Sequence, residues 1–456
     1  MRRDLYQKLL SWRDSPERKP LLVKGARQVG KTFLLQEFGR EQYPATSYFN
    51  FEEDPRLDSL FVDSLDPQKI IEKLSIYQNR KITPEELIIF DEIQESPNAL
   101  KCLKYFQEKF PSCPIACAGS LLGLHLKKGA SFPVGKVDFL TLAPMSFGEF
   151  LAASAREQYR ELLETKRDLT PLDALHHQEL IETLKTYYFV GGMPEVVKTY
   201  LQERDLTKVR KIQKDILQSF VLDFSKHATP FETLKINQIW NSLPAQLAKE
   251  NKKFQLSKVK KSARARDYLS ALQWLLDASL VTQAVKVSQP AVPLAAYEEP
   301  AFFKLYGLDV GLLGAMSGLT APTILQGNDL FTHFKGALIE NYAAQELMAH
   351  LESPLHFWSS PGTAEVDFLL TLNETIIPLE IKAGRSRRSK SLAEFMKKYH
   401  PLMGVRASLR NFGREGCIVQ IPLYALSLLR LIPGPIDRLP TKEQIYDEIA
   451  ERHQFK

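Results

Sequence analysis

Gly25, Gly30, Lys31 and Thr32 fall in the pattern G-x-x-x-x-G-K-[ST], between a short apolar run, Leu21 to Val23, and a segment that puts Phe33, Leu34 and Phe38 on one helical side. The spacing commits this part of the chain to strand, loop and helix. Glycines allow backbone N–H groups to turn inward around phosphate oxygens, and a helix N-terminus adds its positive dipole. Gly25, Ala26, Arg27, Gln28, Val29, Gly30, Lys31, Thr32 and Phe33 are therefore expected to wrap ATP. Lys31 is placed to reach the β- and γ-phosphates, and the Thr32 hydroxyl to ligate Mg²⁺.

Sixty residues after Lys31, "ELIIFDEIQ" runs four apolar residues, Leu87 to Phe90, straight into Asp91 and Glu92. Such a run predicts a parallel strand buried on both faces, with two acids at its carboxyl end, where open α/β sheets bind ligands. Asp91 is assigned to Mg²⁺ and Glu92 to polarising the attacking water. A further strand, "PIACAGS", ends at Ser120, which could sense the γ-phosphate. "TSYFNFEE", Thr46 to Glu53, supplies another, so strands alternate with helices as a doubly wound parallel sheet requires.

At 456 residues the chain exceeds one core, so several domains are expected. Four cysteines are sparse, and Cys113/Cys117 lacks a second pair to complete a zinc site, which leaves reduced, buried thiols. Charge interrupts every apolar stretch of "MRRDLYQKLLSWRDSPERKP", unlike a secretory signal, and no run is long enough to cross a bilayer. Together these point to the cytoplasm and to no membrane partner. The net charge of +6 says little about partners, whereas its distribution says more.

The segments "GARQVGKT", "YFNFE", "IIFDEIQ", "AGS", "LAPMSFGEFL", "VGGMPEVV" and "KLYGLDVGLL" resemble, in order, prokaryotic AAA-type ATP-binding proteins carrying a C-terminal domain of unknown function. The resemblance implies an ATPase core, a helical lid and an extra C-terminal region. One departure is Ala118, where those proteins usually carry a polar residue, which leaves Ser120 to act as sensor alone.

From Phe147 to about Phe231 the pattern is helical. Tyr187, Tyr188 and Phe189, before a glycine break, are read as core residues, with stacking on adenine the other role they could take. Next, helical spacing over Tyr268, Leu269, Leu272, Leu275 and Leu276 followed by "LVTQAVKV" outlines a winged helix. Lys249, Lys252, Lys253, Lys258, Lys260, Lys261, Arg264 and Arg266 stand there against one acid, Glu250. That run could bind nucleic acid or simply form a solvated helix face.

Near the C-terminus, Val366 to Leu372 and Thr375 to Lys382 are β-prone and separated by Asn373-Glu374. A two-residue turn there pairs Leu372 with Thr375 and places Asp367 opposite Glu380, with Lys382 on the same face. Opposed carboxylates repel unless a cation lies between them, and oxygen ligands suit Mg²⁺ or Mn²⁺. Glu340 lies beside the apolar stripe Ile339, Ala343, Leu347, Leu351 of a preceding helix. The set Glu340, Asp367, Glu380, Lys382 is similar to the restriction-endonuclease-like fold of PD-(D/E)-x-K nucleases, though the usual proline before the aspartate is absent. Ten basic residues against one acid lie between Lys382 and Arg414, with Arg385, Arg387, Arg388 and Lys390 just past the presumed site.

The expected organisation is a P-loop ATPase core (1–146), a helical lid (147–235), a winged-helix-like connector (236–315), a nuclease-like α/β domain (316–440) and a tail (441–456). The expected activity is ATP hydrolysis, with Lys31, Glu92 and Ser120 catalytic, controlling a domain that cuts or holds DNA. The alternative is a nucleotide-switched DNA-binding or protein-binding regulator with an inactive nuclease-like domain. A protein partner or homo-oligomer fits either reading.

Overall fold

The computed structural model describes residues 1–120, 133–249, 253–259, 264–325, 332–351, 353–384 and 390–431. It divides into two compact units, Met1–Ala143 with Gln273–Leu280, and Pro144–Leu272 with Val281–Lys456.

Five strands build the sheet of the first unit: β1 (Leu21–Lys24), β2 (Thr46–Asn50), β3 (Leu87–Asp91), β4 (Ile115–Gly119) and β5 (Asp138–Thr141). Their order is β2-β3-β4-β1-β5 and every pairing is parallel. Parallel neighbours need crossovers, and the helices Lys31–Gln42, Pro67–Tyr77 and Pro97–Lys109 provide them. All five residues of β3 and of β4 are buried, as their unbroken apolar runs require. Phe49, Phe51, Phe61 and Phe90 form one aromatic cluster, with Phe61 and Phe90 edge to face and the other pairs tilted. Helix Pro97–Lys109 starts sharply because the Ser96 hydroxyl accepts the Ala99 N–H at 3.1 Å and Pro97 fills the first position. Phe33 departs from its predicted place on the buried helix side. It is 56% exposed, and Leu34, Leu35 and Phe38 make the inward stripe of Lys31–Gln42.

In the second unit, the described elements from Phe147 to His227 are helices, as the sequence pattern predicts. Tyr187, Tyr188 and Phe189 are buried, and Tyr187 and Tyr188 meet Tyr342 edge to face. The Gly191-Gly192 break is filled by Asp309, whose Oδ2 accepts the Gly192 N–H at 2.6 Å and whose Oδ1 caps Leu312 at 2.9 Å. The sequence segments "VGGMPE" and "GLDVG" are thus two halves of one buried junction.

Eight strands follow: β6 (Val281–Val287), β7 (Glu298–Gly307), β8 (Leu355–Ser359), β9 (Glu365–Leu372), β10 (Thr375–Ile381), β11 (Gly404–Ser408), β12 (Gly413–Glu415) and β13 (Ile418–Pro422). They form one mixed sheet in the order β12-β13-β11-β10-β9-β8-β6-β7. The helices Pro230–Leu247, Leu256–Val259 and Ala265–Asp277 precede an antiparallel β6–β7 pair, the element order a winged helix has. That hairpin is not free-standing, because β6 also pairs in parallel with β8. The strands of the predicted connector, 236–315, therefore form one edge of the C-terminal sheet.

The β9–β10 hairpin adopts the register predicted for it, from Thr375 opposite Leu372 to Leu379 opposite Phe368. Asn373 and Glu374 have φ of 46° and 62°, the two positive values of a tight hairpin turn matched to the strand twist. Of the basic positions singled out in the sequence, Lys252, Lys260, Lys261, Arg385, Arg387, Arg388 and the Lys258 side chain lie outside the described residues, as do Glu250 and the tail. Arg264, Arg266, Lys390, Lys397 and Lys398 are exposed, whereas Arg406 is buried and bonds Glu415 at 3.1 Å.

Candidate nucleotide site and carboxylate cluster

β3, β4 and β1 are neighbours, so Asp91, Ser120 and the loop after Lys24 emerge side by side at the carboxyl edge of the sheet. Gly25 enters the loop with φ of 148°, and a Cβ there would lie 2.2 Å from the Leu142 carbonyl oxygen. Only glycine fits that approach. At the other end of the loop, Gly30 has φ of 93° and precedes the helix Lys31–Gln42. Arg3 braces the loop from outside, donating to the carbonyls of Val29 at 2.9 Å and Ala143 at 2.6 Å.

Lys31 is 5% exposed and curls back into the loop, donating from Nζ to the carbonyls of Gly25 at 2.9 Å and Ala26 at 2.8 Å. Burial pulls its ammonium down to about 8, against the opposing pull of Glu92 and Asp91. The Thr32 hydroxyl donates to Asp91 Oδ2 at 2.7 Å, and the Tyr48 hydroxyl donates to the same oxygen at 2.8 Å. Burial raises the Asp91 carboxyl above its ordinary value, and the Thr32 and Tyr48 hydroxyls work against that shift. Glu92 stands in the left-handed region, φ 47° and ψ 46°, and its Oε2 accepts from Ser120 Oγ at 3.1 Å and from Gln94 Nε2. Arg27 reaches Ser120 Oγ at 3.4 Å. The structure thus brings Lys31, Thr32, Asp91, Glu92 and Ser120 together, whereas Phe33 is exposed. Arg3, Tyr48 and Gln94 join the site without having been picked from the sequence.

The second constellation is built differently from its sequence reading. Glu340, 1% exposed, projects from helix Thr332–His350, and Asp367 lies on β9. Between them stands Lys304 of β7, fully buried, with Nζ 3.0 Å from Glu340 Oε1, 2.7 Å from Glu365 Oε1 and 3.9 Å from Asp367 Oδ1. The Tyr306 hydroxyl also donates to Glu340 Oε1, at 2.6 Å, and the Ile381 N–H donates to Asp367 Oδ2 at 2.8 Å. Glu380 is 3% exposed; its Oε1 pairs with Lys382 and its Oε2 is buried with no hydrogen-bond partner. Burial alone would discharge Lys304, but the carboxylates of Glu340, Glu365 and Asp367 outweigh it and hold its ammonium above the ordinary value. The Mg²⁺ or Mn²⁺ expected from the sequence does not fit this donor set. The ion was expected between Asp367 and Glu380, but Asp367 Oδ1 faces the Lys304 ammonium at 3.9 Å and its Oδ2 takes the Ile381 N–H, Glu380 Oε1 pairs with Lys382, and among the described residues no three of His, Cys, Asp or Glu are placed to hold a metal together. In "FFKLYG" the signal for Lys304 was a lysine inside an apolar strand, a residue that must find partners when buried.

Residues 17–151 match the model of a family described as an AAA domain. Residues 181–323 match "Domain of unknown function (DUF8612)" and residues 335–426 match "Domain of unknown function (DUF4143)". No curated protein matches the chain. A Walker-type ATPase of Pyrococcus abyssi is similar at 15% identity and TM-score 0.42, over 69% of this chain and 95% of its own. The ORC1 protein of Aeropyrum pernix in complex with DNA is similar at 12% identity and TM-score 0.28, over 69% and 90%. The RuvB Holliday junction branch migration motor of Thermotoga maritima gives 15% identity and TM-score 0.29, over 64% and 91%. Among the described residues no helix is long and apolar enough to cross a membrane. On its family match and its parallel sheet, the chain carries an AAA-type P-loop ATPase domain.

Proposed function

We propose that the chain binds ATP with Mg²⁺ on the loop from Gly25 to Phe33, hydrolyses it, and uses its nucleotide state to govern a C-terminal module that holds DNA. The observation that supports the first part is the meeting of Lys31, Thr32, Asp91, Glu92 and Ser120 at the carboxyl ends of three adjacent strands. Thr32 and Asp91 offer neighbouring oxygens of the kind Mg²⁺ takes, so these residues fit the ion. Bound there, Mg²⁺ would neutralise charge developing on the phosphates.

The residues of the chain supply the remainder. Lys31 leaves the Gly25 and Ala26 carbonyls for phosphate oxygens, exchanging neutral acceptors for charged ones. Loop N–H groups and the following helix start hold the anion. Ser120 and Gln94 both donate to Glu92 Oε2, so a phosphate that engages the serine hydroxyl removes one of the two donors and lets that oxygen orient a water for in-line attack, with Gln94 holding the carboxylate in place. Tyr48 holds Asp91 in place, and Arg27 holds Ser120.

For the C-terminal module, exposed Lys390, Lys397 and Lys398 support holding DNA, and the lysine between the acids supports holding over cutting. A nucleotide-switched regulator that grips a protein instead is the second reading, and a homo-oligomer suits both.

The test is ATP turnover and nucleotide binding by wild type, Lys31→Ala and Glu92→Gln, with and without single- and double-stranded DNA at low salt. Lys31→Ala is expected to lose ATP binding. Glu92→Gln should retain binding while turnover falls by about 10²-fold or more. Normal turnover in Lys31→Ala would contradict the ATPase assignment, and absence of DNA binding at low salt would promote the protein-partner reading.

A further inference from the structure

The cluster around Lys304 joins three elements that lie far apart in the sequence. Glu340 comes from a helix, Glu365 and Asp367 from β9, and the lysine itself from β7. Tyr306, two residues along the same strand, donates to the same Glu340 oxygen as Lys304 does, so that oxygen has two donors. The Phe357 ring lies 4.9 Å from Nζ and closes off the space beside it.

We propose that Lys304 is a fixed internal cation that takes up the carboxylates of Glu340, Glu365 and Asp367 and so withdraws Asp367 from the Asp367–Glu380 pair expected to hold a divalent metal, leaving the module blind to Mg²⁺ and Mn²⁺ and phosphodiesters intact. The inference rests on reading the C-terminal segment as nuclease-like.

Cutting a phosphodiester with carboxylates of this kind needs a metal to generate hydroxide and to bear charge on the phosphate. An ammonium can neutralise the acids, but it has three donors and no acceptor orbital, so it neither binds nor ionises a water as a metal does. It also repels a dication entering the same space. Because Lys304 is fully buried and held by three carboxylates, no solvent-exposed rotamer is open to it without leaving those acids uncompensated. Glu380 Oε2 remains as one oxygen free of donors, too few for a coordination shell by itself.

The experiment uses the full chain, free of nucleotide, with Mn²⁺ alone as the probe, followed by calorimetry and by the spin resonance of the free ion. Wild type and Asp367→Asn share the same nucleotide loop, so any difference between them belongs to the cluster. Their Mn²⁺ affinities are expected to agree within about twofold, with no site tighter than about 1 mM attributable to the cluster. Supercoiled plasmid should stay intact with both proteins. In Lys304→Met the acids are left without their cation, and a Mn²⁺ site at least about tenfold tighter than in wild type is expected, lost again on adding Asp367→Asn. Tight Mn²⁺ binding or plasmid nicking by wild type that Asp367→Asn removes would overturn the proposal. So would a folded Lys304→Met that gains no site. If that variant does not fold, the wild-type and Asp367→Asn pair still decides. ATP turnover and DNA affinity measured on the same samples report on the broader reading separately.

Discussion

The Tyr48 hydroxyl donates to Asp91 Oδ2 over 2.8 Å, on the oxygen that also takes the Thr32 hydroxyl. β2 and β3 run in parallel with Asn50 beside Asp91, so a tyrosine two residues earlier has the length to reach the acid along its own strand face. One carboxylate oxygen is therefore fixed by two hydroxyls from two different elements, while its partner Oδ1 takes the Glu92 N–H at 3.0 Å.

Tyr48→Phe removes one of those donors and leaves the ring in place. A lost hydrogen bond to a carboxylate is worth about 1.5 kcal/mol, so turnover should fall roughly tenfold. The half-saturating Mg²⁺ concentration should rise with it, since the variant loosens Asp91 rather than the loop. Steady-state ATPase assays over a Mg²⁺ series check this. Unchanged Mg²⁺ dependence would make Tyr48 a packing residue only.

ATP affinity should depend on pH through Lys31. Its ammonium titrates at about 8 in the nucleotide-free protein because burial disfavours the charge. A bound triphosphate favours the charged form, so the group titrates higher in the complex. Affinity is then full below the free value and falls as pH rises through 8, by about tenfold per unit, until the value in the complex is passed. Fluorescent-nucleotide titrations from about pH 6.5 to 9.5 would show this slope. A flat profile over that range would mean that Lys31 does not meet the phosphates.

What could be read from the sequence follows from how local its causes are. β3 was legible because Leu87 to Phe90 are apolar without a break, and the β9–β10 register because two β-prone runs flank a two-residue gap. Phe33 was misplaced because helical periodicity leaves a residue at the stripe's edge free to face either way, and here Leu35 takes the inward place. Tyr48 needed the pairing of β2 with β3, which no single segment contains. The partners of Lys304 could not be read for the same reason: Glu340, Glu365 and Asp367 come from later elements, and the sequence pattern credits Glu340 and Asp367 to a metal. The merging of the β6–β7 hairpin into the C-terminal sheet likewise depends on β8, which comes long after it in the chain.

Glu374→Gly should stabilise the protein. The turn needs positive φ at both central residues, which asparagine tolerates far better than glutamate. A non-glycine residue in the left-handed region costs about 1 kcal/mol, part of which glycine returns through its greater freedom when unfolded. A net gain of roughly 0.5 kcal/mol is expected, seen as a higher urea midpoint at unchanged slope. A loss would mean that the Glu374 side chain makes a contact worth more than its backbone strain.

Gly191 and Asp309 offer the sharpest test of the buried junction. Gly191 has φ of 74°, and a Cβ on it would lie 2.2 Å from Asp309 Oδ1. Gly191→Ala therefore carries both backbone strain and a clash, together about 3 kcal/mol or more. Asp309→Ala removes the acceptor for the N–H groups of Gly192 and Leu312 and for Gln345 Nε2, which should cost a similar amount. The two costs should not add. Once the carboxylate is gone the new methyl has room, so the double variant should be about 1–2 kcal/mol more stable than the sum predicts. Urea unfolding of the four proteins in a double-mutant cycle measures that coupling. Strict additivity would show that the strain at Gly191 lies in its backbone angle alone, and that Asp309 is not what forbids a side chain there.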